Sequence, residues 1–386
     1  MSEKSNNIFF STPGGYMGLL MIPGPVYLDE RIIRAMSRQM IYHRGKKFSE
    51  VLKYCIEILK KLFGTKNDVY VISGSGTSGM EAAIASFSNV NKILCVENGK
   101  FGSRFVEIAK RYTQVEHVKF EWGESIDLEK IKESIEKGCD AIAFVHNETS
   151  TGILNPAEKI CKIARKHDIL VIMDAITSVG GDEVEMDKWG VDVAVVGSQK
   201  CIGAPPGLAA VAVSEKAWDF YNKKVPYYLD LKAYKDKLKT YQTPYTPALP
   251  LFFALEEALK IIENEGISNR IKRHRLFSLC VREWATHAGL ELFPKISNFS
   301  AYSNTVTAIK VPKGISDYEL RNTLKNKYGI TISGGQAHLK GKIFRIGTMG
   351  NIKKYHLIAT LIALENTLVK RGLIKSAMDV VLKLLE

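Results

Sequence analysis

The sequence predicts an α/β protein: a mostly parallel sheet flanked by helices, with a smaller α+β domain after it. Three observations predict this. From about residue 68, short apolar runs alternate with longer segments of helical periodicity, the pattern of βαβ units. Those runs are apolar on both faces, as strands covered by helices on two sides should be. Beyond about residue 240 the texture changes to a proline-rich loop, a long helical stretch, and then strands and helices in alternation.

The elements follow in order. The runs Val69–Ile72, Lys92–Val96, Ala141–Val145, Ile169–Met173 and Val191–Val196 read as strands. Between them, Ser78–Phe87, Phe101–Tyr112, Leu128–Lys137 and Pro156–His167 read as helices, the last with Asn155 as its cap and Pro156 at its first position. Residues 240–250 place threonines and tyrosines among three prolines and read as an ordered loop. One helical stretch is expected over 249–289. Strands Thr305–Val311, Gly329–Ser333 and Lys342–Gly347 then alternate with helices Tyr318–Lys327, Lys354–Arg371 and Lys375–Leu385. The division this implies is an N-terminal arm over 1–24, a large domain over 25–269 and a small one over 270–386.

Composition bounds the function. With 46% apolar and 25% charged residues in 386, the chain is ordinary globular protein, and disordered, collagen-like and coiled-coil classes are excluded. Nothing approaches the run of about 18 apolar residues that a membrane span needs. The 54 basic residues against 41 acidic give a net charge of +13, but they fall as isolated pairs such as Lys46-Lys47 and Lys223-Lys224. Scattered pairs describe a solvated surface, not a nucleic-acid tract. The six cysteines form no CxxC pair, so neither a disulfide framework nor a metal site is expected. Cys95, Cys139 and Cys161 read as small buried hydrophobes. Residues 1–22 lack the basic start and unbroken apolar stretch of a signal peptide, which makes the cytoplasm the expected location.

In an open parallel sheet, ligands bind outside the carboxyl ends of the strands. Five strand ends here carry polar or glycine-rich turns: 73–79, 97–102, 146–152, 174–175 and 197–200. The first turn has two sharp readings. Gly74-x-Gly76-x-x-Gly79, with Glu97 placed to meet a ribose, would suit an NAD(P)-dependent oxidoreductase. Alternatively Ser75, Gly76 and Thr77 offer hydroxyls and N–H groups to a phosphate at a helix N-terminus. A third reading is bland, a turn that lets helix and strand pack closely. Asp174 and Lys200, 26 residues apart on two strand ends, decide among them. A buried carboxylate can hold a pyridine nitrogen protonated, and a lysine amine can join that ring's aldehyde as a Schiff base. These are the two groups that pyridoxal 5′-phosphate chemistry needs, and a dinucleotide site would leave both unexplained.

The stretch Asp174-Ala175-Ile176-Thr177-Ser178-Val179-Gly180-Gly181, followed by Gly197-Ser198-Gln199-Lys200 and Ala204-Pro205-Pro206-Gly207, resembles the class V aminotransferases of fold type I, of the serine–pyruvate and alanine–glyoxylate kind. The resemblance runs from Pro23-Gly24-Pro25 to Arg345-Ile346-Gly347. It implies a seven-stranded, mostly parallel sheet and a homodimer with active sites at the subunit interface. By it, Lys200 would carry the cofactor and shuttle the proton, while Asp174 would pair with the ring nitrogen. Ser75, Gly76, Thr77 and Gln199 would hold the phosphate. Phe101 would stack on the ring where many relatives have tryptophan, Ile176 would press on its other face, and Thr149 would bond the ring hydroxyl oxygen. Arg345 would grip the substrate carboxylate, and Thr243 and Thr246 would reach the partner subunit's phosphate.

Arg345 lies in an apolar strand, so it is expected to have an anion or acid as partner. His146 and His338 are expected to be structural. Relatives often read Gly-Pro-Gly-Pro where this chain has Ile22-Pro23-Gly24-Pro25. The resemblance implies transamination between serine or alanine and pyruvate or glyoxylate. No second cation is evident for a dicarboxylic side chain. Within the same fold the alternatives are a 2-aminoethylphosphonate transaminase and a cysteine desulfurase, the latter needing a thiolate on a mobile loop.

Overall fold

The computed structural model describes residues 11–12, 15–16, 18–297 and 299–386. The arm expected over 1–24 therefore lies largely outside the described residues. Seven strands form the main sheet: β1 (Asp68–Ser73), β2 (Lys92–Glu97), β3 (Gln114–Lys119), β4 (Ala141–Val145), β5 (Leu170–Asp174), β6 (Val193–Gly197) and β7 (Leu208–Val213). Their spatial order is β1-β7-β6-β5-β4-β2-β3, and only β7 runs against its neighbours. Alternate side chains feed two separate cores. Val69 and Val71 enter one, Tyr70 and Ile72 the other, and the same alternation recurs in β2, β4, β5 and β6. Burial on both faces is what the unbroken apolar runs encode.

Two of these strands were not expected. β3 lies at the sheet edge, reads Gln-Val-Glu-His-Val-Lys, and is largely exposed or half-buried, so it presents no apolar run. β7 is fully buried but begins directly after Pro205-Pro206-Gly207, and it returns antiparallel instead of opening another βαβ unit.

On the sheet faces lie α1 (Lys46–Phe63), α2 (Gly76–Ser86), α3 (Lys100–Ala109), α4 (Leu128–Glu136), α5 (Ala157–Lys166) and α6 (Leu249–Glu265), followed by α7 (Ile267–His287). The single helix expected over 249–289 is thus two. Gly266 breaks it at φ 81°, a left-handed conformation that glycine adopts freely, and its N–H closes on the carbonyls of Ile262 and Glu263. The expected cap of α5 is also corrected. Asn155 turns its amide to Asn98 and to the Val145 carbonyl, so Pro156 takes the cap position and the helix starts at Ala157.

A second sheet has the order β8 (Val306–Lys310), β10 (Ile343–Gly347), β9 (Ile330–Gly334), and then the strand Leu19–Met21, which pairs parallel with β9. It packs on a separate core built around Trp284, Leu320, Phe344 and Leu361. This pairing fixes the chain that follows Met21. A side chain at Gly347 would meet the Ile22 carbonyl at 2.2 Å, so Ile22-Pro23-Gly24 is pressed between β10 and the end of the main sheet. Among the described residues no helix is long and apolar enough to cross a membrane.

Candidate active site

Because β1, β2, β4, β5 and β6 run in one direction, their carboxyl ends converge on a single edge of the sheet. A cavity opens there. Ser75, Gly76, Thr77, Phe101, Thr149, Asp174, Ile176, Gln199 and Lys200, all drawn from the sequence, line it together.

The glycines of the first turn are explained by packing. A Cβ on Gly76 would lie 2.8 Å from Ile176 Cδ1, and one on Gly79 would lie 2.7 Å from Val195 Cγ1. The helix thereby sits close to the sheet, with its first-turn N–H groups at the cavity and Ser75 as a cap whose side chain bonds no helix N–H. Glu97 does not face a ribose site: its oxygens are taken by His117 Nε2 at 2.9 Å and Trp122 Nε1 at 3.0 Å.

Asp174 closes β5 and is 4% exposed. One oxygen accepts the Ile176 N–H at 2.8 Å. Burial raises its pKa to about 7 against that hydrogen bond, with Glu148 adding to the rise and Arg104 and Lys200 opposing it. Lys200 stands just beyond β6 and donates its amine to the Pro23 carbonyl. Burial brings the ammonium down to about 8, a shift that Arg345 and Arg104 enlarge and that Cys201 and Asp174 resist. Gly24 leaves the room: any Cβ there would stand 2.6 Å from Lys200 Cδ.

Thr149 is buried, and its carbonyl accepts Arg345 Nη1 at 2.9 Å. Arg345 Nε and Nη2 donate to the Gly334 carbonyl at 3.0 and 2.8 Å. Of the anion or acid expected as its partner, the chain supplies no acidic side chain: among the described residues the guanidinium is held by carbonyls alone. Of its five N–H groups, three are engaged, leaving one on each terminal nitrogen. Burial lowers its pKa to about 10, so it stays charged at neutral pH.

Two cavity-lining residues, Arg104 and Asn147, and the supporting Glu148 were given no role in the sequence analysis. Arg104 donates to Thr77 Oγ1 at 3.1 Å and lies 4.8 Å over the Phe101 ring. Asn147 bonds the Thr177 carbonyl and Thr305 Oγ1. Glu148, fully buried, accepts the N–H groups of Phe101 and Gly102. Asn147 and Glu148 lie in the polar turn 146–152 but had no role assigned, and for Arg104 the helical spacing from Phe101 was the available signal.

Thr243 and Thr246 do not line this cavity. Thr243 Oγ1 donates to the Tyr245 carbonyl at 2.7 Å, its own carbonyl accepts Arg44, and Thr246 is exposed. His146 is buried edge-on to Trp189, and burial brings it down to about 4; His338 tilts over Trp122. All six cysteines are buried. The Cys201 thiol donates to the Thr177 carbonyl at 3.1 Å, and burial pushes its pKa up to about 12, which removes the mobile thiolate a desulfurase needs.

The residues present fit pyridoxal 5′-phosphate. Gln199 Oε1 and Asn147 Oδ1 are buried at the cavity without a partner among the described residues. Asp174 keeps a carboxylate oxygen for a cationic ring nitrogen. An amine of lowered pKa and a helix N-terminus complete the set.

The comparisons agree. Residues 30–351 match the family model described as aminotransferase class-V, and the chain belongs to that family. It is therefore a fold type I aminotransferase that works with pyridoxal 5′-phosphate, which sets aside the dinucleotide reading of the first turn. An aminotransferase of Methanocaldococcus jannaschii is 45% identical over 95% of this chain and 98% of its own. The ureidoglycine–glyoxylate aminotransferase of Bacillus subtilis superposes with a TM-score of 0.89 at 32% identity, covering 96% of this chain and 98% of that one. A serine–glyoxylate aminotransferase of Arabidopsis thaliana is 32% identical over 90% of this chain and 89% of its own.

Proposed function

We propose that this enzyme transfers the amino group of a small L-amino acid, serine or alanine, to a short 2-oxo acid, glyoxylate or pyruvate. The observation that carries the reading is Arg345, a buried guanidinium anchored to the carbonyl of cavity-lining Thr149 with one N–H on each terminal nitrogen unengaged. The relatives named for ureidoglycine and for serine share glyoxylate as acceptor, which supports that half of the reaction.

When bound, the cofactor supplies an electron sink for the pair released as the substrate's Cα–H bond breaks. The chain does the rest. Ser75, Gly76, Thr77 and Gln199 would hold the phosphate, Phe101 and Ile176 the two ring faces, and Thr149 the ring hydroxyl oxygen. Asp174 takes up its negative charge as a cation meets it, because a neighbouring positive charge lowers a carboxyl pKa. Lys200, as the neutral amine, would accept the substrate's Cα proton and hold it for return. Its pKa, brought down to about 8, leaves a useful neutral fraction near pH 7 to 8. Pro23 and Gly24 pack directly on Lys200, a crowding of the amine that supports donors with short side chains. The reading takes the enzyme to be a cytoplasmic homodimer, with the large part over 25–269 carrying the cofactor and the small part over 270–386 carrying Arg345. The exposure of Tyr42 and Tyr227, at 71% and 82%, supports a surface that a second copy covers.

Borohydride reduction followed by peptide mapping, together with a donor panel against glyoxylate and pyruvate, tests this. The reading expects the reduced adduct on Lys200 and turnover of serine or alanine. An adduct on another lysine overturns the site, and aspartate turning over while serine does not overturns the substrate class.

A further inference from the structure

Among the described residues lining the cavity, Arg104 and Lys200 alone carry a positive charge, and Lys200 is the amine assigned above to the cofactor aldehyde. Every group assigned to the phosphate is neutral: backbone N–H groups, the hydroxyls of Ser75 and Thr77, and the Gln199 amide. A phosphate monoester carries between one and two negative charges at neutral pH. A helix N-terminus offers roughly half a positive charge against it. The cradle as assigned is short of positive charge.

Arg104 stands beside it. One N–H of its guanidinium donates to Thr77 Oγ1 at 3.1 Å, and the plane sits 4.8 Å from the centre of the Phe101 ring one turn earlier on α3. Lys100, on the same helix, pairs with Glu107. Arg104 has no such carboxylate partner among the described residues, although its charge is felt at both Asp174 and Lys200. Because Arg104 donates to the Thr77 oxygen, the Thr77 O–H is left to donate elsewhere.

We propose that Arg104 is a positioning residue for the cofactor: it orients the Thr77 hydroxyl toward the phosphate, supplies the cradle's missing positive charge, and holds the Phe101 ring by its other face. The proposal rests on the reading that Ser75, Gly76 and Thr77 receive the phosphate. It makes the cation a phosphate device rather than a receptor for a dicarboxylic side chain.

Pyridoxal lacks the phosphate and gives the control. The full-length apoprotein is titrated with pyridoxal 5′-phosphate and with pyridoxal, following the absorbance of the bound chromophore, for the wild type and for Arg104→Met, Arg104→Lys, Thr77→Val and Ser75→Ala. Losing a charge-assisted contact should weaken pyridoxal 5′-phosphate binding by Arg104→Met roughly 10- to 100-fold. Pyridoxal affinity should fall far less, by the loss of support to the Phe101 ring alone, and Arg104→Lys should recover part of the phosphate-selective loss. Equal weakening of both ligands would mark Arg104 as merely structural and overturn the proposal. Phosphate-selective loss in Thr77→Val or Ser75→Ala, but not in Arg104→Met, would overturn it while leaving the cradle intact. Absence of phosphate selectivity in all four variants would overturn the cradle as well. A raised KM for aspartate alone in Arg104→Met, with cofactor binding unchanged, would reassign the cation to the substrate.

Discussion

Glu148 Oε2 accepts the backbone N–H of Phe101 at 2.9 Å, tying the turn after β4 to the first turn of α3. The same oxygen takes the Gly102 N–H at 3.1 Å, and the other takes the N–H and O–H of Ser150 at 3.1 and 2.5 Å. α3 has no side-chain cap of its own at Gly99, so a carboxylate from 49 residues along the chain performs that task. Gly99 must be glycine for it, since a Cβ there would stand 2.3 Å from Glu148 Cδ. One buried acid thus sets the Phe101 ring relative to Thr149, the next residue in its own turn.

Replacing Glu148 by alanine should therefore destabilise the fold more than an ordinary surface change. Burial raises the Glu148 pKa, opposed by its four hydrogen bonds, and removing the group leaves four donors without an acceptor. A loss of about 3 kcal/mol is expected, readable as a lowered urea midpoint at constant slope. Glu148→Gln keeps the volume and an acceptor oxygen and should lose clearly less. Equal midpoints for wild type and Glu148→Ala would contradict the capping role.

The pH dependence of Asp174 has a definite sign. In the cofactor-free protein its pKa rises from 3.8 to about 7, so between these values the folded state binds the proton that the unfolded state has released. The contribution of Asp174 to stability is therefore full below about pH 4 and is lost as pH rises through about 7. Asp174→Asn has no proton to lose. Cofactor-free wild type and Asp174→Asn should match below about pH 4, and the variant should be increasingly the more stable as the pH rises to 8. With the cofactor bound the order should reverse, because only a carboxylate can meet a cationic ring nitrogen. A difference between the two apoproteins that does not change with pH would refute the raised Asp174 pKa.

What the sequence made legible was what is encoded locally. Apolar runs buried on both faces gave five strands, and the polar turns at their carboxyl ends gave Ser75, Gly76, Thr77, Asp174 and Lys200, because a parallel sheet gathers those ends on one edge; Phe101, Thr149, Ile176 and Gln199, which line the same cavity, came through the family resemblance. β3 was hidden because an edge strand needs no apolar run, and β7 because it breaks the βαβ rhythm. Arg104 and Glu148 were hidden for another reason. Arg104 looks like a solvated charge on its helix, and Glu148 like one more polar residue of its turn; only the fold brings Arg104 onto Thr77 and Glu148 onto the start of α3. Arg345 was legible as a charge in an apolar strand, but its carbonyl partners came from Thr149 and Gly334, 196 and 11 residues away.

Gly24 offers a test of the wall over Lys200. Its φ of +89° already disfavours a side chain, and a Cβ would stand 2.6 Å from Lys200 Cδ and 2.8 Å from Nζ. Gly138 has nearly the same backbone, φ +85°, with nothing within 4 Å of a Cβ. Gly24→Ala and Gly138→Ala should each lose about 1 kcal/mol from backbone strain. Activity should collapse in Gly24→Ala alone, with kcat falling at least tenfold as the amine is displaced. Equal activity in the two variants would mean that the segment yields without moving Lys200.

Arg345 separates substrates that carry an α-carboxylate from those that do not. Arg345→Ala should raise KM for alanine or serine by roughly 10- to 100-fold, the worth of a lost charge-assisted pair. 2-Aminoethylphosphonate has an amine but no carboxylate, so any turnover of it should depend far less on Arg345. The substitution also releases the carbonyls of Gly334 and Thr149, so Arg345→Lys, which can still donate to one of them, is the better-folded companion. Because lysine cannot present the planar fork, it should restore the melting temperature more fully than it restores KM. Unchanged KM for alanine in either variant would show that another residue holds the substrate carboxylate.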